Sequence, residues 1–287
     1  MSGRSTRRPL LLLAAIALLS FAGPLLLHQL GADPNEIELL DRFAGPSWTH
    51  PLGTDELGRD MLLRLLEGGR VSLAIGAAAA LTAAALGTVV GLVAGYAGGW
   101  TDRIAMRATD AIIALPLLPL LIVLAALDLG KLGLPPALAQ SDEIGFFRIL
   151  VLAVLVGWTT AARLVRGATL VTRHRDFVRA ARSLGAGTLH ILWTHILPNV
   201  MAPLVVATTL SVGEVILLES VLSFLGLGIQ PPLASWGTML SNAQQTIATA
   251  PLLAIYPGLM IFLTVIACNL LGDALQRRFD HTIARRA

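Results

Sequence analysis

Long apolar stretches alternate with short polar segments along the whole chain. About 20 helical residues, each rising ~1.5 Å, cross the ~30 Å hydrocarbon core of a bilayer, and six stretches reach that length. Strand-like alternation is absent, and helices satisfy every backbone polar group internally. The pattern therefore predicts an all-α polytopic membrane protein with six transmembrane helices. The predicted spans cover residues of about 9–29, 71–97, 111–129, 147–168, 200–226 and 251–273.

Composition supports the same class. Hydrophobic residues make up 55% of the 287, only 14% are charged, and the mean hydropathy is +0.74. A soluble domain of this length needs far more polar surface. The single cysteine, Cys268, excludes an internal disulfide and a cysteine-cluster metal site, and its position in the last span favours a small packing residue.

Basic residues are distributed unevenly about these spans. If the N-terminus is cytoplasmic, most of the 21 Lys and Arg residues fall on cytoplasmic segments. This positive-inside asymmetry predicts a multi-pass protein whose N- and C-termini are both cytoplasmic. The sequence pI of about 9.7 then follows from topology, so nucleic acid is not an expected partner.

Residues 30–70 form the longest connection, on the external side. A helix is predicted to begin near Thr54 or Asp55, which can cap it, and to lie along the outer membrane interface before Gly68 and Gly69 permit a sharp bend. The predicted organisation is an N-terminal part, residues 1–70, in which the first helix is retained rather than cleaved as a signal peptide. A five-helix transmembrane core follows, residues 71–287, with a cytoplasmic loop at 171–199.

That cytoplasmic loop carries an arginine-rich insert. Residues 176–184 predict a short helix, Gly185 can end it in a left-handed turn, and a second short helix follows before Pro198 restarts the chain. Arginines can pair with carboxylates of a partner, and neighbouring alanines allow close seating. The candidate contact residues are Arg175, Asp176, Arg179, Ala180, Ala181, Arg182, Gly185 and Pro198.

The insert resembles a loop of bacterial ABC-transporter permeases, with the pattern Glu-Ala-Ala, three residues, Gly, nine residues, Ile-x-Leu-Pro. Two positions depart from it, since Arg179 replaces Glu and His195 replaces Ile. Residues 51–60, 94–102 and 222–232 also look like the second permease subunit of dipeptide/oligopeptide importers. The insert residues that match are Ala180, Ala181, Gly185, Leu197 and Pro198.

This resemblance implies a type I ABC importer permease fold in the bacterial inner membrane. The chain would form half of a translocation pathway for di- or oligopeptides, and the insert would be the coupling loop that docks on an ATPase. The implied partners are a second homologous permease, two cytoplasmic ABC ATPase subunits, an extracytoplasmic substrate-binding protein and the lipid bilayer.

Catalytic motifs are missing from the sequence. A phosphate-binding loop ends in Gly-Lys-Ser/Thr, but the only lysine is Lys131, which Leu132 follows. Neither HExxH nor Gly-x-Ser-x-Gly occurs, and the histidines show no ligand spacing; His190 and His195, five apart, are not expected on one helix face. We expect no enzyme activity, no cofactor and no metal, with ATP hydrolysis on separate subunits.

Other functions stay open. The same architecture could import nickel complexes, glutathione or another small solute. A different class, an ATP-independent secondary transporter, would need its own coupling site and often inverted repeats, and no clear repeat is seen. A membrane scaffold without transport is a third class.

Two carboxylates, Glu214 and Glu219, lie inside the fifth predicted span. A carboxylate in hydrocarbon costs several kcal/mol, so each must face a water-filled cavity, a partner or the membrane edge. Because they are about 140° apart on a helix, they cannot share one narrow face. A pathway or proton-relay role and a hydrogen-bonded structural role are both open.

Three features of the helices complete the prediction. Gly87, Gly91 and Gly95 form a smooth packing face in the second span. Prolines in the third span predict a kink, either as a pathway wall or as ordinary bundle geometry. Trp236 is a candidate interfacial anchor.

Overall fold

The computed structural model describes residues 3–29, 31–127, 135, 144–244 and 246–284, so Lys131 and the end of the third predicted span lie outside it. The secondary structure of these residues is helical, apart from one isolated β-bridge between Thr54 and Asp60. The helices are α1 (Gly3–Gln29), α2 (Met61–Ala97), α3 (Gly99–Ala114), α4 (Leu117–Ala125), α5 (Ile144–Thr172), α6 (Asp176–Ser183), α7 (Thr188–Phe224), α8 (Trp236–Ala243) and α9 (Leu252–Ala284).

Five of these helices, α1, α2, α5, α7 and α9, are long and apolar enough to cross a membrane. Helices α3 and α4 pass the same test together and are bent by 86°, which gives six crossings if the pair is one span. The all-α, six-span prediction is confirmed in this form. We call the end of the bundle near residues 31–60 the cap end, and the opposite end, near residues 173–187, the Arg-loop end.

Helix α2 packs most extensively against α5, which runs in the same direction. At Gly91, an added Cβ would lie 2.6 Å from the backbone oxygen of Ala162, and Gly87 and Gly95 approach α5 as closely. Small residues let helix backbones come together where lipid removes the hydrophobic drive. The predicted role of these glycines in packing is confirmed.

The start of α2 differs from the prediction. Asp60 caps the helix by accepting a hydrogen bond from the backbone N–H of Leu63, and α2 then continues to Ala97. No separate interfacial helix or bend occurs, and α2 crosses the boundary predicted at residue 70. Gly68 and Gly69 instead allow close approach, since a Cβ on Gly69 would lie 2.4 Å from Ser20 Oγ.

The proline kink predicted in the third span is confirmed and is larger than a simple bend. Leu115 and Pro116 are extended, so α3 ends at Ala114 and α4 begins at Leu117. Proline lacks the N–H that would continue the ladder, and it restricts the residue before it to extended conformations. The pair also starts twelve residues before the predicted span, because Gly98 ends α2 and α3 begins at once.

Helix α7 contains a π-helical segment, Ile191–Ile196, and continues without a break to Phe224. The predicted restart at Pro198 is therefore wrong. The N–H of Leu197 bonds to the oxygen of Leu192, five residues back, so the hydrogen-bond register has changed just before proline removes a donor. The insert and the fifth span form one continuous helix.

Residues 31–60, which we call the cap loop, fold around the start of α2. The Thr54 hydroxyl accepts from the N–H of Ala44 (2.8 Å) and donates to the oxygen of Asp41. The buried Asp55 carboxylate accepts from Arg59 Nε (2.7 Å) and lies 3.4 Å from Arg64 Nε. Buried charges need such pairing, so this network fixes the loop on the bundle.

Two side chains in the core test smaller predictions. Trp236 is fully buried, and its Nε1 donates to the backbone oxygen of Leu65 at 3.0 Å, so it is not an interfacial anchor. Indole brings a large apolar surface together with one donor that must be satisfied when buried. Cys268 is buried in α9, as predicted for a packing residue.

Candidate functional site

Helix α6 rests on the bundle through one fully buried side chain. Val178 is fully buried in a cluster with Ile191, Ile196 and Val200 of α7. Most other residues of α6 are exposed, including Asp176 and Ala180, while Ala181 is half-buried. The helix is thus seated firmly and still presents most of its surface outward.

Gly185 ends α6 in the left-handed conformation, with φ of +83°. The N–H of Ala186 bonds to the oxygen of Ala181, and the N–H of Gly185 bonds to that of Arg182, both at 3.0 Å. This is the Schellman arrangement, which satisfies carbonyls at a helix end. An added Cβ would meet nothing within 4 Å, so glycine is required here for its backbone angle and not for space.

The three arginines of the insert have different surroundings. Arg182 donates to the Tyr96 hydroxyl at 3.2 Å, and its guanidinium lies 5.5 Å from the centre of that ring. Arg179 donates to the backbone oxygen of His174 at 3.1 Å and lies 3.9 Å from the Asp176 carboxylate. Arg182 therefore ties α6 to the end of α2, whereas Arg175 and Asp176 are exposed.

Four large apolar side chains stand exposed on and beside the insert. Leu184 is 88% exposed, Leu189 71% and Trp193 65%, and Phe177 is also exposed. These residues were not among the predicted contact residues, although their apolar character in a polar segment was the available signal. We call Phe177, Leu184, Leu189 and Trp193 the loop apolar set. Large apolar side chains exposed together in this way are typical of interaction sites.

His190 and His195 pack against each other, with ring centres 5.7 Å apart and planes at 78°. Their predicted separation is wrong, because residues five apart are hydrogen-bonded neighbours in a π-helix. Phe177 adds a third ring, 6.2 Å from His195. The π-helical segment thus joins α6 to α7 through aromatic contacts.

The Arg-loop end is tied to the rest of the bundle by ion pairs and backbone contacts. Arg166 of α5 pairs with Asp102 of α3 through both guanidinium arms, with Nη2 to Oδ2 at 2.6 Å. Arg173 donates to the oxygen of Gly95 at 2.8 Å. A bidentate pair adds direction as well as strength. These contacts join α2, α3 and α5 to one another beside the insert.

The two intramembrane carboxylates have opposite environments. Glu219 is fully buried and accepts hydrogen bonds from the hydroxyls of Ser235 (2.6 Å), Ser223 (2.7 Å) and Ser72 (3.2 Å). It therefore joins α2, α7 and the start of α8, which is the structural alternative. Glu214 is exposed. The three serines were not predicted as partners of Glu219, because Ser72 and Ser235 lie far from it in the chain.

One group of possible metal ligands occurs in the described residues, on the cap loop. The ligand atoms of Glu38, Asp41 and His50 all lie within 4.8 Å of one another. His50 Nδ1 is 3.0 Å from the Asp60 carboxylate, and both acidic residues of the group are exposed. The hydrogen bonds that fold the cap loop are enough to bring these three side chains together.

A family model described as binding-protein-dependent transport system inner membrane component matches residues 87–285. The chain belongs to this family. It is a multi-pass inner-membrane permease subunit with the type I ABC importer fold, so the resemblance found in the sequence is confirmed.

Relatives of the permease support the same assignment. The chain is 43% identical to the glutathione transport system permease protein GsiD of Pectobacterium atrosepticum, over 79% of this chain and 70% of the relative. It is likewise 43% identical to the protein of that name from Escherichia coli O1:K1, over 80% and 71%. A protein of Brucella ovis, provisionally named a peptide permease, is 39% identical over 86% and 78%.

Proposed function

We propose that this permease forms half of the translocation pathway of an ATP-driven importer for di- or oligopeptides. The observation that carries this proposal is the insert at the Arg-loop end. It is fixed to α2 and α7 by Val178 and Arg182, yet it leaves the loop apolar set uncovered.

The cap end is external in this proposal and the Arg-loop end is cytoplasmic, with both chain termini inside. Two ABC ATPase subunits bind the insert, a second homologous permease completes the pathway, and an extracytoplasmic binding protein delivers cargo. The sequence carries no Gly-Lys-Ser/Thr loop, so ATP hydrolysis belongs to the separate subunits.

The mechanism follows from how the insert is attached. Closure of the ATPases moves α6, and Val178 and the Phe177–His195 contact pass that movement into α7. Arg182, Arg173 and Arg166 pass it to α2 and α3. ATP can favour one state of the bundle only if the ATPase contact has different free energies in the two states. Arg175, Arg179, Ala180 and Ala181 lie on or beside α6, where they can form such a contact.

Glutathione is the second candidate cargo, since two of the relatives above are named for it. Glutathione is itself a small peptide, so both candidates require a pathway that accepts peptide groups. An uptake assay with the complete transporter and either glutathione or tri-alanine as the probe separates them.

The coupling role is tested at two glycines of the same loop. Gly185→Ala forces alanine into φ of +83°, whereas Gly187→Ala changes a residue at φ of −68°, and neither Cβ meets another atom within 4 Å. We expect Gly185→Ala to lower ATP-driven uptake about tenfold and Gly187→Ala to leave it within about twofold, since only the first disturbs the turn. Gly185→Pro, which cannot reach this φ, should abolish uptake while membrane insertion remains.

Asparagine tolerates the left-handed conformation, so Gly185→Asn should restore most of the uptake. Normal transport in Gly185→Pro would contradict the coupling role. Uptake driven by an ion gradient, with this chain alone in vesicles, would instead establish a secondary transporter.

A further inference from the structure

One face of α7 is only partly covered by the other helices of the subunit. Residues on it recur at intervals of four and three, which places them along one side of an α-helix. Leu217 is 45% exposed and Val221 39%, and Glu214 is exposed between apolar residues on both sides of the stripe. We call this surface the Glu214 face; its residues are Pro203, Ala207, Leu210, Glu214, Leu217 and Val221.

Glu214 lies deep in the membrane. It is at the centre of the apolar stretch 200–226 and ten residues from the end of α7 at Phe224, or about 15 Å along the helix. That distance is about half of the ~30 Å hydrocarbon core. No hydrogen bond or ion pair of Glu214 occurs among the described residues, so the face must meet water or a cationic group.

Basic residues are absent from the part of the chain that surrounds Glu214. No Lys or Arg occurs between Ser183 and Gln276, a segment that contains α7, α8 and most of α9. On the neighbouring α5, Arg163 and Arg166 are already paired with Asp110 and Asp102. Arg277 and Arg278 lie further along α9, at the Arg-loop end of the face, so none of the described residues neutralises Glu214.

The lower part of the Glu214 face opens into a cavity of about 410 Å³. Pro203, Ala207 and Leu210 line one wall, Leu164 of α5 a second, and Gln276 and Phe279 of α9 a third. Gly213 lies beside Val265, and Gly272 lies against Leu210, so α9 runs antiparallel to α7 along this cavity. The face thus continues from Glu214 toward the Arg-loop end as a groove whose lining includes the polar side chain of Gln276.

We infer that the Glu214 face lines the aqueous part of the translocation pathway and that its carboxylate binds an ammonium group of the passing cargo. Peptides carry such a group at the N-terminus. The inference rests on the proposed function and adds a site and a charge preference to it. A carboxylate in a cleft of low dielectric attracts cations and repels anions more strongly than in bulk water.

Cysteine chemistry tests the site without any ATP turnover. The wild-type Cys268 is replaced by alanine, and Leu210→Cys or Leu217→Cys is introduced in the assembled transporter. Each variant is treated with a cationic trimethylammonium thiosulfonate and with an anionic sulfonate thiosulfonate of similar size. Leu18→Cys on the peripheral α1, exposed to 67% in the isolated subunit, calibrates a lipid-covered position.

We expect both cysteines of the Glu214 face to react, and the cationic reagent to react faster. Glu214→Gln should lower the ratio of the two rates by at least about fivefold, because only the charge is removed. An unchanged ratio would show that Glu214 does not select cations. Absence of reaction at both positions would place a second permease or lipid on the face. Either result overturns the inference.

Uptake of tri-alanine supplies a second measurement. Glu214→Gln should reduce uptake about tenfold at low cargo concentration, and Glu214→Asp should retain most of it. Equal uptake by Glu214→Gln and wild type would contradict the ammonium site. If the cysteine results hold but uptake does not depend on ATP, the site stands and the proposed importer function fails.

Discussion

Polar side chains at the cap end bond to one another, whereas many at the Arg-loop end face away from the subunit. Glu219 gathers three serine hydroxyls there, and Asp55 is held by two arginines. At the opposite end, α6 is seated by Val178 and one arginine–tyrosine contact. Buried polar groups must be satisfied, but exposed ones can await a partner.

This difference indicates that the two ends of the permease have different roles. At the cap end, hydrogen bonds and ion pairs connect buried side chains, so the removal of one side chain leaves its partners without a hydrogen-bond partner. At the Arg-loop end the bundle is joined by ion pairs, but the insert itself is held by few contacts, so a bound ATPase subunit can move it. Four pairs of substitutions probe this contrast, beginning with the largest expected effect.

The two intramembrane glutamates give the strongest test. Glu219→Ala removes the acceptor of three buried hydroxyls and opens a cavity, so we expect a loss of about 3 kcal/mol in the free energy of unfolding. Glu214→Ala, five residues away on the same helix but exposed, should change it by less than about 0.5 kcal/mol. Thermal unfolding of the purified permease, followed by tryptophan fluorescence, measures both. Equal midpoints would show that the serine cluster does not stabilise the cap end.

Two glycines with positive φ compare the ends directly. A Cβ on Gly58, at φ of +76°, would lie 1.9 Å from the backbone oxygen of Glu38, whereas Gly185 has open space. Gly58→Ala should therefore cost at least about 2 kcal/mol and loosen the cap loop, while Gly185→Ala costs about 1 kcal/mol. Hydrogen exchange at residues 31–60 and 173–187 reports each loop. Faster exchange at residues 173–187 in Gly185→Ala than at residues 31–60 in Gly58→Ala would contradict the expected order.

Two exposed leucines, one at each end, test whether the ATPase subunits bind only at the Arg-loop end. Leu184→Ser should weaken binding of the ATPase subunits about tenfold, equivalent to about 1.4 kcal/mol, with no loss of stability. Leu40→Ser on the cap loop is the matched control, since Leu40 is also almost wholly exposed. Binding is measured with the permease in nanodiscs. A similar loss in both variants would rule out a specific docking role for Leu184.

The smallest effect is expected at Tyr96. Tyr96→Phe removes the oxygen that accepts from Arg182 but keeps the ring, so the loss is about 0.5–1 kcal/mol. Hydrogen exchange of α6 should accelerate by about two- to fivefold. Tyr256→Phe, at a half-buried tyrosine of α9, should leave α6 unchanged. No acceleration in Tyr96→Phe would show that Val178 alone holds α6.

The helices and their order were predictable, because a bilayer imposes length and apolarity on each span independently of its neighbours. The glycine turn at residue 185 and the proline break at residue 116 were predictable for a related reason, since both depend on the backbone of one or two residues. Helix starts were less accurate. Polarity suggested a bend at Gly68 and Gly69, but these glycines face α1 and α8, which the local pattern does not reveal.

The sequence by itself determined the class of the protein, its six crossings and the location of the insert, because hydropathy and motif spacing act over a few residues. Tertiary structure alone decided which glutamate is buried. Ser72 and Ser235 lie 147 and 16 residues from Glu219, and only folding brings them to its carboxylate. The contact of His190 with His195 likewise depends on a π-helical register that spacing alone does not specify.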